Sequence, residues 1–348
     1  MATWIRRLGS KTSGFRYVSE AGAVVPARTK ARVEALRIPP AWRDVHVAAS
    51  PAAAVQAWGF DARGRKQYRY HARAQQQGEL RKYYRVRQMA RDLPAIRAEL
   101  RSRLRELLAG ELTRENVTAA VVRLIADGFF RVGNERYTRE NRSFGITTLR
   151  KTHVKTEGGL VVFSYRGKSG IQQRQVVTDR TLARVVARLM KTPGPRLFRY
   201  RDAGGPWSDL GARDVNEFLH ELVGVPYTAK DFRTWGGTLR AATVLAELDG
   251  DGKASPRERT RNVSTAMRLV SAELGNTPTI CRKSYVHPIV VARYLDEGDT
   301  IAPTLRRLRA RRGGSETAHA PEERALIAFL DRHFPERRRR SRDDSRAA

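Results

Sequence analysis

Residues 59–71, GFDARGRKQYRYH, and the run that follows at 76–110, QQGELRKYYRVRQMARDLPAIRAELRSRLRELLAG, mark the change of texture that decides the fold. In the first stretch Gly64 punctuates a turn, and Tyr68 and Tyr70 recur at strand period, so it reads as a loop or hairpin leading into an edge strand. The second stretch is long, charged and helical, with Pro94 marking a break or a new start. Working back towards the N-terminus, RYV (16–18), AVV (23–25) and VHVAA (45–49) are short strand candidates, interrupted by Pro39-Pro40. These readings predict an α+β protein. A small β-rich domain spans 1–78, and a larger, mainly helical domain with a small three-stranded sheet spans 79–335. A basic, solvated tail, ERRRRSRDDSRAA, ends the chain at 336–348.

In the larger domain, TRENVTAAVVRLIADG (113–128) places Val117, Val121, Leu124 and Ile125 on one helical face, with Thr113 as cap and Gly128 as stop. Strands are expected at His153–Lys155, at LVVFSY (160–165) and at IQQRQVV (171–177), joined by the turns EGG and RGKSG. Helices follow at ARDVNEFLHELVG (212–224), TLRAATVLAEL (238–248) and VSTAMRLVSAELG (263–275). The first of these aligns Val215, Phe218, Leu219 and Leu222.

Lys plus Arg number 67 against 36 Asp plus Glu, a net charge of +31. Such an excess destabilises a compact chain by self-repulsion, and a polyanion that releases counterions on binding accounts for it. One cysteine, Cys281, excludes a disulfide within the chain and a cysteine zinc site, and fits a reducing compartment. The N-terminal MATWIRRLGSKTSGF lacks the apolar core of a signal peptide, and no apolar run approaches the ~20 residues that span a bilayer. A soluble, cytoplasmic, nucleoid-associated protein without a membrane partner is expected.

Three motifs fail on inspection. Gly167-Lys168-Ser169 resembles the end of a P-loop, but Val162 stands where the first glycine belongs. His220-Glu221 opens a zinc-protease pattern that Gly224 breaks, and Asp249–Lys253 lacks the oxygen ligand and glycine of a calcium loop, having Lys253 and Ala254. No metal site and no cofactor is expected.

Five segments remain: FFRVGNERYTREN (129–141), YRGKSGIQQ (165–173), AKDFRTWGG (229–237), LGNTP (274–278) and SYVHP (284–288). In this order the chain resembles the type IB DNA topoisomerases, in the compact poxvirus-like form also found in bacteria. The resemblance runs from GRKQYRYH to Tyr285, and KDFRTWG with GNTPTICRKSY is its most specific part. It implies Tyr285 as nucleophile, Arg131 and Arg233 as phosphate-binding cations, Lys168 as general acid, and Asn276 as a fifth catalytic position. Poxviral and nuclear enzymes have histidine there. Asparagine donates a hydrogen bond but does not titrate, which assigns this position to binding the transition state.

The resemblance further implies DNA contacts from Gln67, Tyr68 and Tyr70, from Arg136 and Tyr137 near the cut, and from Lys230. It implies a monomer whose two lobes clamp duplex DNA, with no obligate protein partner. One strand is cut through a 3′-phosphotyrosyl link without ATP or metal, and supercoils of either sign relax. Two guanidiniums suit the chemistry, because attack on a phosphodiester builds charge on the non-bridging oxygens.

Plainer readings stand beside these: a tyrosine packed at a helix end, surface arginines, a turn lysine, a helix-terminal Gly-Asn, ordinary strand aromatics. A tyrosine site-specific recombinase shares the covalent logic but carries His-x-x-Arg at the second arginine, where this chain has Lys230-Asp231-Phe232-Arg233. A non-enzymatic basic DNA-binding protein explains the charge and leaves the five ordered segments unexplained.

Overall fold

The chain divides into two units between Lys82 and Tyr83. The computed structural model describes residues 3–157, 160–225, 227–310 and 318–334. The expected tail at 336–348 and two residues of the EGG turn lie outside them.

The first unit is an antiparallel sheet of β1 (Trp4–Ser10), β2 (Gly14–Val18), β3 (Arg43–Ala48), β4 (Val55–Phe60) and β5 (Lys66–Tyr70), in the order β2-β1-β3-β4-β5. Strand alternation sends Ile5, Val45, Val47 and Ala57 to one face, where they pack with Val33 of helix α1 (Ala27–Ala35). The 59–71 stretch forms the β4–β5 hairpin, with β5 at the sheet edge. Its turn is organised by Asp61, whose Oδ1 accepts the backbone N–H of Arg63 and Arg65. The Arg65 side chain holds that carboxyl down to about 2. RYV lies within β2, whereas AVV forms only an isolated bridge from Val24 to Val18.

Helix α2 (Ala72–Ala109) runs across the boundary between the units and continues through Pro94 without a break. A proline in a helix strips the carbonyl four residues back of its donor. Here that carbonyl belongs to Ala90, and the ring Nε2 of His319 takes the vacant acceptor at 2.6 Å. Leu93 and Ile96, on either side of Pro94, are buried and anchor the helix.

In the second unit, α3 (Arg114–Gly128) and α4 (Glu135–Asn141) precede a sheet of β6 (Val154–Glu157), β7 (Leu160–Arg166) and β8 (Gln172–Val177), in the order β6-β7-β8. Then come α5 (Arg180–Leu189), a short pair β9 (Arg199–Tyr200) and β10 (Ser208–Asp209), and α6 (Ala212–Val223). The remaining helices are α7 (Ala229–Leu248), α8 (Pro256–Leu274), α9 (Pro278–Ser284), α10 (Pro288–Glu297), α11 (Ala302–Arg309) and α12 (Pro321–His333). The whole is α+β, and one large apolar cluster joins α2, α3, the small sheet and α5 to α12.

Thr113 caps α3 by accepting from Asn116 N. The stop is not Gly128 itself: Phe129 adopts the left-handed conformation, at φ 53° and ψ 31°. Helix α7 begins well before the TLRAATVLAEL stretch and makes KDFRTWGG helical. Its first turn is held by Asp231, which accepts from Thr228 N and Oγ1 at 2.9 Å and from the Arg85 guanidinium. No helix among the described residues is long and apolar enough to cross a membrane.

Candidate active site

Helix α7 carries Arg233 into the interior, where the residue is 3% exposed. A cation so placed needs acceptors. It has two, both backbone carbonyls: Nη1 donates to Phe129 O, and Nη2 to Leu274 O at 2.8 Å. Arg131 ends in the same place, its Nη2 donating to Gly275 O at 2.6 Å and to Asn276 Oδ1 at 2.8 Å. The two acceptor strands are helix ends, the C-termini of α3 and α8, where carbonyls lack intrahelical partners and the helix dipole favours cations.

No carboxylate pairs with either arginine among the described residues. Burial first, then the neighbouring charge of Arg131, pull the Arg233 guanidinium below its ordinary value, and Tyr285 and Tyr165 oppose the shift. Two donors are left over: Arg233 Nε and Asn276 Nδ2 are buried without a hydrogen-bond partner. The cluster is therefore rich in cations and donors, and every acceptor it uses is neutral.

Tyr285 completes it. The Arg233 Cζ stands 5.1 Å from the centre of the Tyr285 ring, within cation–π range. Thr277 and Pro278 start α9, and Tyr285 caps its other end, its N–H donating to Cys281 O. Its main chain is held from α7. Thr238 Oγ1 donates to Tyr285 O at 3.3 Å and accepts from His287 N at 3.0 Å. Tyr83 Oη donates to Val286 O at 3.1 Å.

The Gly236-Gly237 pair makes this approach possible. A Cβ on Gly237 would lie 2.8 Å from Tyr285 O, and one on Gly236 would lie 1.9 Å from the Phe129 ring. Cys281 is packed beneath, its thiol pushed up to about 11 by burial.

Lys168 stands apart. It is exposed at the β7–β8 turn, beside Ser169 in the left-handed region at φ 63°, and neither a hydrogen bond nor an ion pair joins it to the arginines among the described residues. The strand just beyond that turn, however, reaches the cluster. The Gln173 amide packs so tightly on Gly275 that a Cβ there would lie 2.4 Å from its Oε1. Arg131, Arg233, Asn276 and Tyr285 are thus assembled, and Lys168 is tethered nearby by its strands.

The expected DNA contacts belong to both units, each taken by itself. Tyr68 and Tyr70 are 44% and 53% exposed and stack on one face of β5. Gln67 alternates to the other face, its Nε2 donating to Asp61 Oδ2 at 3.0 Å. Arg136 is paired with Glu140, Tyr137 is open to solvent, and Lys230 is exposed on the first turn of α7.

Two residues that support the cluster were not singled out by the sequence reading: Phe129 and Thr238. The one available signal was the twin glycine at 236–237, which inside a helix implies a close approach.

Comparison with known proteins follows the same outline. A family model for the eukaryotic DNA topoisomerase I catalytic core matches residues 71–311, and one for the bacterial DNA topoisomerase IB N-terminal domain matches residues 14–61. The DNA topoisomerase 1B of Acanthamoeba polyphaga mimivirus is 33% identical over 262 residues, 73% of this chain and 76% of the viral protein. The DNA topoisomerase 1B of Vaccinia virus (strain Copenhagen) is 23% identical over 255 residues, covering 71% and 75% respectively. The DNA topoisomerase 1 of Mycosarcoma maydis is 22% identical over 228 residues, 60% of this chain and 22% of the fungal protein.

Proposed function

We propose how this chain works from what it is: it belongs to the type IB DNA topoisomerases, enzymes that act on DNA. It relaxes positive and negative supercoils in duplex DNA, working as a monomer without ATP or metal. The Tyr285 oxygen attacks a backbone phosphorus, the bond from phosphorus to the 5′ oxygen breaks, and the 3′ phosphate stays on the tyrosine. The phenolic proton passes to water, and the Lys168 ammonium gives a proton to the departing 5′ oxygen. Strand rotation follows, and the reverse reaction reseals the nick at no net change in bond energy.

The observation that carries this reading is the Arg233 guanidinium beside the Tyr285 ring with Arg131 close to it, both held by neutral oxygens and matched by no carboxylate among the described residues. Such a site is organised before the anion arrives. A phosphate supplies the missing negative charge, and its transition state, with more charge on the same oxygens, gains more than its ground state. Asn276 Nδ2 is one of the donors left over for those oxygens.

The test is incubation with negatively supercoiled plasmid in excess EDTA without ATP, stopped with detergent. Relaxed topoisomers and a protein-linked nicked species are expected from the native chain. Tyr285→Phe should retain DNA binding and lose both products entirely. Full relaxation by that variant would remove Tyr285 as the nucleophile.

A further inference from the structure

Lys168 sits on an exposed turn with no hydrogen bond or ion pair from its side chain among the described residues, yet as a proton donor it must meet the leaving oxygen at a fixed distance from the arginines. What sets that register is visible on the inner face of the hairpin. Tyr165 on β7 and Gln175 on β8 are diagonal cross-strand neighbours, since Phe163 pairs with Gln175 and Tyr165 with Gln173. The Tyr165 Oη donates to Gln175 Oε1 at 2.9 Å, and Gln175 Nε2 donates to Gly128 O at 2.8 Å.

Gly128 ends α3. The next residue, Phe129, holds Arg233 through its carbonyl, and Arg131 follows two positions later. One side-chain amide therefore spans from the strands bearing Lys168 to the segment that carries Arg131 and holds Arg233 through the Phe129 carbonyl.

The two bonds fix each other's polarity. With its amide turned over, Gln175 would set its oxygen against the Gly128 oxygen, so Nε2 must face the carbonyl and Oε1 must accept. The phenol must then be the donor. Burial supports this by pushing Tyr165 up to about 12, against the opposing pull of Arg131 and Arg233. Main-chain bonds from Phe144 N to Arg166 O and from Ile146 N to Arg131 O tie the same two segments from another side. The Gln175 bridge supplies a second, independent anchor.

We infer that Tyr165 and Gln175 are positioning residues that hold the Lys168 hairpin in register with Arg131 and Arg233. This rests on the reading of Lys168 as the proton donor to the leaving 5′ oxygen. Neither residue touches DNA in this role; both act through Lys168.

The experiment uses the full chain and two duplex substrates, one with a normal 5′-oxygen at the cleavage site and one with a 5′-bridging sulfur. A thiolate leaves without protonation, so loss of the acid slows only the oxygen substrate. Tyr165→Phe and Gln175→Leu are each expected to slow oxygen cleavage by about tenfold, the scale of one buried hydrogen bond. Sulfur cleavage should stay within about twofold of the native rate, well inside that margin. In a Lys168→Ala background neither substitution should slow the oxygen substrate further, because the group they position is gone.

Thermal melting of each variant separates folding from register. Equal slowing of both substrates by both variants, or additive slowing on Lys168→Ala, would overturn the inference. Lys168→Ala alone distinguishes the underlying reading: if it slows the two substrates equally, Lys168 is not the acid and that reading fails first.

Discussion

The β4–β5 hairpin and the arginine cluster are both basic, and they treat charge in opposite ways. In the hairpin, Arg65 and Gln67 share the Asp61 carboxylate, and Lys66 lies 3.8 Å over the Trp58 ring. Around Arg131 and Arg233 every hydrogen-bond acceptor among the described residues is a neutral oxygen, although Arg233 is almost wholly buried. A surface cation with an internal counterion is stable and contributes little to anything else. A buried cation without one destabilises the fold, and persists where something outside the chain completes it. The net charge of +31 directs attention to nucleic acid. Deep burial of Arg233 without a carboxylate among the described residues is what favours Arg131 and Arg233 as the cations we propose for the phosphate.

That contrast makes a prediction with two signs. Arg233→Met, similar in length and uncharged, should lower the cleavage rate by about 10²–10³, the scale of one lost transition-state donor. The same variant should melt at or above the native temperature, because a desolvated cation is replaced by an apolar chain. Cleavage followed by quenched-flow trapping and melting by calorimetry read the two effects. A variant that melts well below the native protein would mean that the carbonyl cage stabilises Arg233 fully and that no strain is stored there.

The sharpening control lies two residues earlier on the same helix. Asp231 is equally buried but has the Arg85 fork and the Thr228 amide and hydroxyl around it. Asp231→Ala should cost about 2 kcal/mol of stability, below the usual figure for a broken buried pair because Arg85 remains partly in water. Denaturant titration measures it. No loss would place Asp231 with Arg233 as a charge kept for function.

Much of this was legible in the sequence wherever the signal is local. Helix α3 shows its apolar face and its Thr113 cap, and the β7–β8 hairpin shows its alternation and its RGKSG turn. Distant partners decided the rest. Pro94 reads as a break because nothing nearby announces that His319 will accept the role of the missing N–H at Ala90. The start of α7 is hidden by Gly236-Gly237, which resemble breakers until the Phe129 ring and the Tyr285 main chain come up against them. Resemblance supplied the names of Arg131, Arg233 and Tyr285. It could not supply the acceptors at Phe129, Leu274 and Gly275, because a backbone carbonyl carries no residue identity.

The smallest expected effect falls on the hairpin, and it bears on the other half of the comparison. Tyr68 and Tyr70 stack on each other at 5.9 Å and are open to solvent, while Gln67 turns to the opposite face and is engaged with Asp61. Strand alternation puts Gln67 on the face opposite the two tyrosines, and its amide is free to reach round to DNA only when the Asp61 bond opens. If the hairpin contacts DNA through its tyrosine face, Tyr68→Ala and Tyr70→Ala should each weaken duplex binding by about three- to tenfold, on the scale of ~1 kcal/mol for a partly exposed contact. Gln67→Ala should change affinity by less than about twofold, and the salt dependence of binding should stay unchanged in all three, because no phosphate-neutralising charge is removed. Fluorescence anisotropy on a Tyr285→Phe background isolates binding from cleavage. A larger loss for Gln67 than for either tyrosine would show that the Asp61 bond opens on DNA, and would turn the hairpin from a finished surface into one that, like the arginine cluster, is completed only by its partner.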